Sequence, residues 1–140
     1  MPIAIAETVQ TALANGAPLV ALESALITHG FAYPANLEIT RRMAETIRAA
    51  GAIPAVIGVW EGRRTGGLTE ARIGSLARET ALKASIRDLP LARLRGLHGG
   101  TTVAATMLLA QRAGLRVFAT GGIGGVHRGH PEDVSADLPT

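Results

Sequence analysis

Residues 53–60, IPAVIGVW, are an unbroken apolar run with Gly51 before it and Glu61-Gly62 after it. A run this short, with no polar residue in alternation, predicts a strand covered on both faces, because a half-exposed strand alternates. Leu19–Leu22 and the segment LRVFAT at 115–120 read the same way. Between these runs lie helical stripes. Ile39, Met43 and Ile47 recur every four residues before Gly51, and VAATMLLAQRA runs up to Gly114. Glycine after the last periodic residue is a common helix stop. Strands alternating with helices at this spacing predict βαβ units. The expected fold class is α/β: a layered α/β/α arrangement on a mostly parallel sheet.

The remaining elements follow from local signals. Ile5, Val9 and Leu13 predict a first helix from Pro2 to Asn15, stopped by Gly16. Asn36 is placed to cap the second helix. EGRRTGG reads as a turn or hairpin tip. Thr69 caps a short helix carrying Ile73 and Leu76, and Ala81 to Ser85 is a candidate strand. Asp88 caps another short helix, with Pro90 in its first turn. GLHGGTT is expected to be a loop leading into a helix.

Composition narrows the function. Aromatics are 3% of the 140 residues, so the core is built from Ala, Val, Leu and Ile. There is no cysteine, which excludes disulfides and thiolate metal sites and makes a reducing cytoplasm the expected compartment. The net charge is +3, and all but one of the 14 basic residues are arginines. These are scattered, with short pairs at Arg41-Arg42 and Arg63-Arg64, unlike the concentrated patch of a nucleic-acid binder. No apolar run reaches the ~20 residues of a membrane span. The first ten residues, which include Glu7, do not resemble a secretory leader.

In open α/β sheets, ligands bind beyond the carboxyl ends of the strands. Glu23 follows the first buried run, where a carboxyl with a raised pKa can serve as a general acid; a salt-bridging or capping glutamate is the plainer alternative. Lys83 is the only lysine, and a lysine can lose its proton or ligate phosphate as a compact charge; a solvated edge-strand lysine is its alternative. The Gly99-Gly100-Thr101-Thr102 segment opens a helix, where N–H groups and the dipole favour an anion, with the two threonine hydroxyls as added donors. The segment from Gly121 to Gly129 holds five glycines around His127 and Arg128. It fits neither the dinucleotide-binding fingerprint nor a P-loop. His127 and His130 form an H-x-x-H pair, a weak zinc signal. Asp133 and Asp137 suit a hard divalent ion, or are simply exposed.

The ordered stretches ALESALITHGFAYPAN, PAVIGVWEGRRTGGLTE, LKASIRDLP, GGTTVAATM, RVFATGGIGGVHRG and DVSADL resemble the pseudouridine-5′-phosphate glycosidase (indigoidine synthase A-like) family. They span the chain from Leu19 onward. The resemblance implies reversible cleavage of the C–C glycosidic bond, giving uracil and ribose 5-phosphate, through a Schiff base between the opened sugar and a lysine. It also implies an α/β/α fold, a manganese ion and a homotrimer acting on a small-molecule substrate. Carried over by motif, Glu23 is the proton donor, and Lys83, Thr102, Val103 and His127 contact substrate. Asp133 ligates the metal, and Ser135, Ala136 and Asp137 complete the substrate contacts. Three departures stand out: Ala25 replaces a threonine, the loop from Arg128 to Asp133 is short, and the family's nucleophilic lysine lies after SADL, beyond residue 140. The expectation is therefore the N-terminal part of one glycosidase-like domain, incomplete relative to the family and impaired in catalysis. The alternative is a non-catalytic remnant that binds a sugar phosphate or a partner chain.

Overall fold

A computed structural model describes residues 2–138, apart from the side chains of 127, 131 and 133. The long strand β3 (Ile53–Trp60) organises the sheet, as its apolar run predicts. Along its first half it pairs in parallel with β2 (Leu19–Leu22), and β7 (Phe118–Ala119) pairs in parallel on the far side of β2. Along its second half it pairs antiparallel with β4 (Arg63–Gly66), and β1 (Ala4–Ile5) adds in parallel outside β4. β6 (Gly99–Thr101) meets the last residues of β3 antiparallel, and β5 (Leu82–Ala84) pairs in parallel with β6.

Helices cover both faces of this sheet. Ala55, Ile57 and Val59 of β3 pack with residues of α1 (Glu7–Ala14), α4 (Leu89–Arg95) and α5 (Val103–Arg112). Val56, on the opposite face, packs with α2 (Ala35–Ala49), α3 (Glu70–Arg78) and a π-helical turn at Leu26–Gly30. Burial on alternate faces is the two-residue period of a strand serving two cores at once. The fold is the expected α/β/α arrangement with a mostly parallel sheet. Among the described residues, no helix is long and apolar enough to cross a membrane.

Several local expectations change in three dimensions. The first helix does not begin at Pro2. Ala4 and Ile5 pair with Thr65 and Gly66, and the helix starts at Glu7 after the Ala6 N–H has reached Gly66 O. The edge of β4 offers these residues backbone partners that a frayed first turn would lack. GLHGGTT is not all loop, because Gly99–Thr101 is strand β6. EGRRTGG is the β3–β4 hairpin, turning at Glu61 and Gly62, both at positive φ. Asp88 makes no cap bond to α4; its Oδ2 accepts the Ser85 N–H at 2.9 Å instead.

Asn36 also leaves its expected role. It sits inside the first turn of α2, 2% exposed, and its Nδ2 donates to Ile27 O and Ala77 O, both at 2.8 Å. One amide thus ties the π-helical turn to the end of α3. Asn36→Ala would orphan two buried carbonyls and is expected to lower stability by about 3 kcal/mol. A urea-unfolding loss below about 1 kcal/mol would show that these carbonyls find other donors.

Candidate active site

The site arises where two strand ends meet head-on. β2 runs along β3 as far as Val56, while β6 runs the opposite way along the same side of β3 and reaches Gly58. Both chains must turn away near Ile57, whose carbonyl lacks a regular ladder partner on that side. Two hydroxyls replace it: Ser24 Oγ donates to Ile57 O at 2.6 Å and Thr101 Oγ1 at 2.9 Å. The Thr101 N–H then donates to Ser24 Oγ at 2.9 Å, and Thr101 Oγ1 lies 2.9 Å from Thr106 Oγ1. Every one of these residues is buried. The hydroxyl network joins the sheet to α5 and places the residues after each strand, Glu23 and Thr102, on the rim of one cleft.

That cleft has a volume of about 530 Å³ and brings together Glu23, Lys83, Thr102, Val103, Ser135 and Asp137. Six of the expected site residues therefore converge from four separate parts of the chain. Ala136 lies between two lining residues and is exposed. His127 and Asp133 fall in the hairpin of β8 (Val126–His127) and β9 (His130–Val134), and their side chains lie outside the described ones. The short turn at Arg128-Gly129 closes this hairpin. It leads into Ser135, whose N–H donates to Gly125 O at 3.1 Å.

Glu23 is half-buried, and the sheet register explains its partner. Leu22 pairs with Ala119, so one residue further Glu23 meets Thr120, whose hydroxyl donates to Glu23 Oε1. The Gly122 N–H donates back to Thr120 Oγ1 at 3.2 Å, anchoring the start of the glycine-rich loop. Burial pushes the Glu23 carboxyl above its ordinary range, while the Thr120 hydrogen bond opposes this; nearby Asp137 raises it and Lys83 lowers it. A carboxyl favoured in its protonated form is equipped to donate a proton.

The raised pKa has a consequence for stability. The folded protein holds the Glu23 proton more tightly than the unfolded chain does. Its favourable contribution is present below the unfolded carboxylate range and is lost as pH rises through the folded value. Glu23→Gln, which cannot ionise, is expected to gain stability relative to the parent as pH rises from the ordinary carboxylate range, about 4, through the folded Glu23 value. Urea midpoints of the two proteins would diverge over that window; a constant difference would contradict the shift.

The start of α5 forms another wall. Thr102 occupies the cap position without a capping hydrogen bond, and its buried Oγ1 has no partner among the described residues. The Ala104 N–H donates to Asp137 Oδ1 at 2.9 Å, so a carboxylate from the chain's far end already sits at this helix N-terminus. The unpartnered Thr102 hydroxyl is the donor left for an anion. Thr101 does not share that role, because its hydroxyl is turned into the core network. Lys83 is exposed on β5, in register with Gly100.

Two further residues belong to the site without having been singled out from sequence: Thr120, which holds Glu23, and His29. Thr120 was identifiable in principle, since it ends an apolar run that pairs beside β2, just as Glu23 follows β2 itself. His29 lines the cleft, and its Nδ1 lies 2.6 Å from Thr28 Oγ1. Burial lowers its pKa and Lys83 adds to that, which favours a neutral ring. No local signal marks it. Among the described residues, no three His, Asp or Glu side chains converge as a metal cluster.

Comparison with known proteins agrees with this architecture. The chain is 55% identical over 136 residues to the pseudouridine-5′-phosphate glycosidase of Methylobacterium nodulans, covering 95% of this chain and 40% of that protein. It is 51% identical to a pseudouridine-metabolizing bifunctional protein of Schizosaccharomyces pombe, covering 98% of this chain and 19% of that one. Among solved structures, the prealnumycin C-glycosynthase AlnA, in complex with ribulose 5-phosphate, superimposes with a TM-score of 0.85 at 42% identity, over 97% of this chain and 45% of its own. An indigoidine synthase A-like protein from Thermotoga maritima gives 0.84 at 36% identity, over 98% and 45% respectively. The chain spans less than half the length of each of these relatives. The family profile described as indigoidine synthase A like protein matches residues 8–140, and the chain belongs to that family.

Proposed function

We propose that this chain carries the acid and sugar-phosphate-binding part of a pseudouridine-5′-phosphate glycosidase site. In the proposed reaction the bond between ribose C1′ and uracil C5 breaks. Glu23 delivers a proton to C5, water supplies the hydroxyl at C1′ that completes ribose 5-phosphate, and the remaining proton of that water returns to the Glu23 carboxylate. The reverse reaction forms the same bond. Carbon is a poor leaving group, so an acid that holds its proton more tightly than an ordinary carboxyl suits that chemistry. The observation carrying the proposal is the convergence of a half-buried Glu23 with Lys83, the unpartnered Thr102 hydroxyl and Asp137 around one cleft.

Thr102 and the start of α5 are assigned to the phosphate, and Lys83, Ser135, Ala136, Asp137 and His127 to the sugar and base. A manganese ion belongs to the same proposal, with Asp133 as its protein ligand, since a carboxylate is the donor a hard divalent cation takes. The ion would supply charge stabilisation for a bound substrate. A trimer in the cytoplasm is the proposed assembly and location.

The test is uracil release from pseudouridine 5′-phosphate with added manganese, alongside calorimetric binding of ribose 5-phosphate. Uracil release that depends on Glu23 supports the glycosidase reading. Ribose 5-phosphate binding without release favours a second reading, a sugar-phosphate-binding protein without turnover. That reading rests on the start of α5, where the buried Thr102 Oγ1, unpartnered among the described residues, can take a phosphate without any proton transfer from Glu23. Neither release nor binding by a folded sample would overturn both.

A further inference from the structure

Arg64 lies in a part of the molecule that the proposed reaction does not use. Its register partner across the β3–β4 hairpin is Val59, so both side chains share the face covered by α4 and α5. The neighbouring glycines show how closely those helices approach. A Cβ at Gly62 would lie 3.0 Å from Arg93 Cα, and one at Gly66 would lie 3.7 Å from Ala113 Cβ. Arg64 therefore enters the layer between the C-terminal turns of α4 and α5, and those turns carry Arg93 and Arg112.

Arg64 is 7% exposed, and its Nε and Nη1 are buried with no hydrogen-bond partner among the described residues. Burial lowers its pKa, and the Arg112 and Arg93 charges add to that. Arginine keeps its proton even so. A buried cation facing two further cations, with unused donors, is an arrangement that a counter-charge completes. Arg93 and Arg112 are themselves exposed, so their flexible ends can part to admit a group and close on it.

The geometry points to an oxyanion site, phosphate or carboxylate, held by Arg64 between α4 and α5 and closed by Arg93 and Arg112. The anion comes either from solution or from an acidic side chain of a second copy of this chain. Thermal unfolding of the full chain in inorganic phosphate, in acetate and in chloride at equal ionic strength tests this. Phosphate or acetate is expected to raise the Tm of the parent by roughly 3–5 °C more than that of Arg64→Met. Comparing the two proteins subtracts any phosphate bound in the Glu23 cleft, which Arg64→Met leaves intact. Arg112→Gln, at an exposed position, is expected to reduce the same shift if Arg64→Met fails to fold. A carboxylate from a second copy would instead appear as a molecular mass that rises with concentration in the parent and not in the variants. Equal anion responses of parent and variants, with equal and constant mass, overturn the site.

Discussion

Glu23→Gln is expected to lower uracil release from pseudouridine 5′-phosphate by roughly 10²–10⁴-fold, the usual worth of a positioned general acid. Glutamine keeps the size of the side chain, and its carbonyl can still accept the Thr120 hydroxyl that holds Oε1. What it lacks is the transferable proton. Affinity for ribose 5-phosphate should change only a few-fold, because the proposed phosphate contacts lie at Thr102 and the start of α5. Turnover by the parent should also fall as pH rises through the raised Glu23 value, since the acid must start protonated. Uracil assays over a pH series and calorimetry on both proteins would read these effects together. A loss smaller than about tenfold would remove Glu23 from the role of proton donor.

Gly100→Ala is expected to be the most disruptive small substitution in the fold, with a cost of about 3 kcal/mol or more. A Cβ at Gly100 would lie 2.2 Å from Thr28 Oγ1 and 2.7 Å from Ser24 O. Thr28 can rotate. The Ser24 carbonyl cannot, because it accepts the Ile27 and Thr28 N–H groups at the start of the π-helical turn. Its residue also holds the hydroxyl network around Ile57. Relief would separate the ends of β2 and β6, carrying Glu23 away from Lys83 and Thr102, so ligand affinity should fall along with stability. Gly125→Ala is the control, with nothing within 4 Å of the added carbon. Urea unfolding of both variants would settle the point: near-equal stabilities would mean that the meeting of the two strand ends is looser than described.

The contrast between these two residues shows how far linear sequence reaches. The strands at 19–22 and 53–60 were legible because an uninterrupted apolar run has few physical outcomes, and because the stops at Gly51 and Gly114 both adopt positive φ. The run at 115–120 was over-read, since only Phe118–Ala119 pairs and Ala119 is exposed at the sheet edge. Glu23 stood out as a carboxyl just past such a run. The first strand was not legible, since Ala4 and Ile5 carry a helical stripe and become strand only when β4 presents an edge to them. Asn36 was misread for a related reason. Asparagine before a helical stripe signals a cap, yet its amide serves two carbonyls, one of them 41 residues away.

Local order along the chain thus determined the alternation of strands and helices, the apolar faces and the motifs that mark the family. Periodicity and turn chemistry act over a few residues, and a sequence displays them directly. Only the tertiary structure decided that β2 and β6 meet head-on at Ile57, that Thr120 stands against Glu23, that Asp137 reaches the start of α5, and that the Arg64 Nε and Nη1 are buried with no partner among the described residues. Each of these is a contact between distant segments. Sheet register sets such contacts, and a slip of one residue would turn every side chain to the other face.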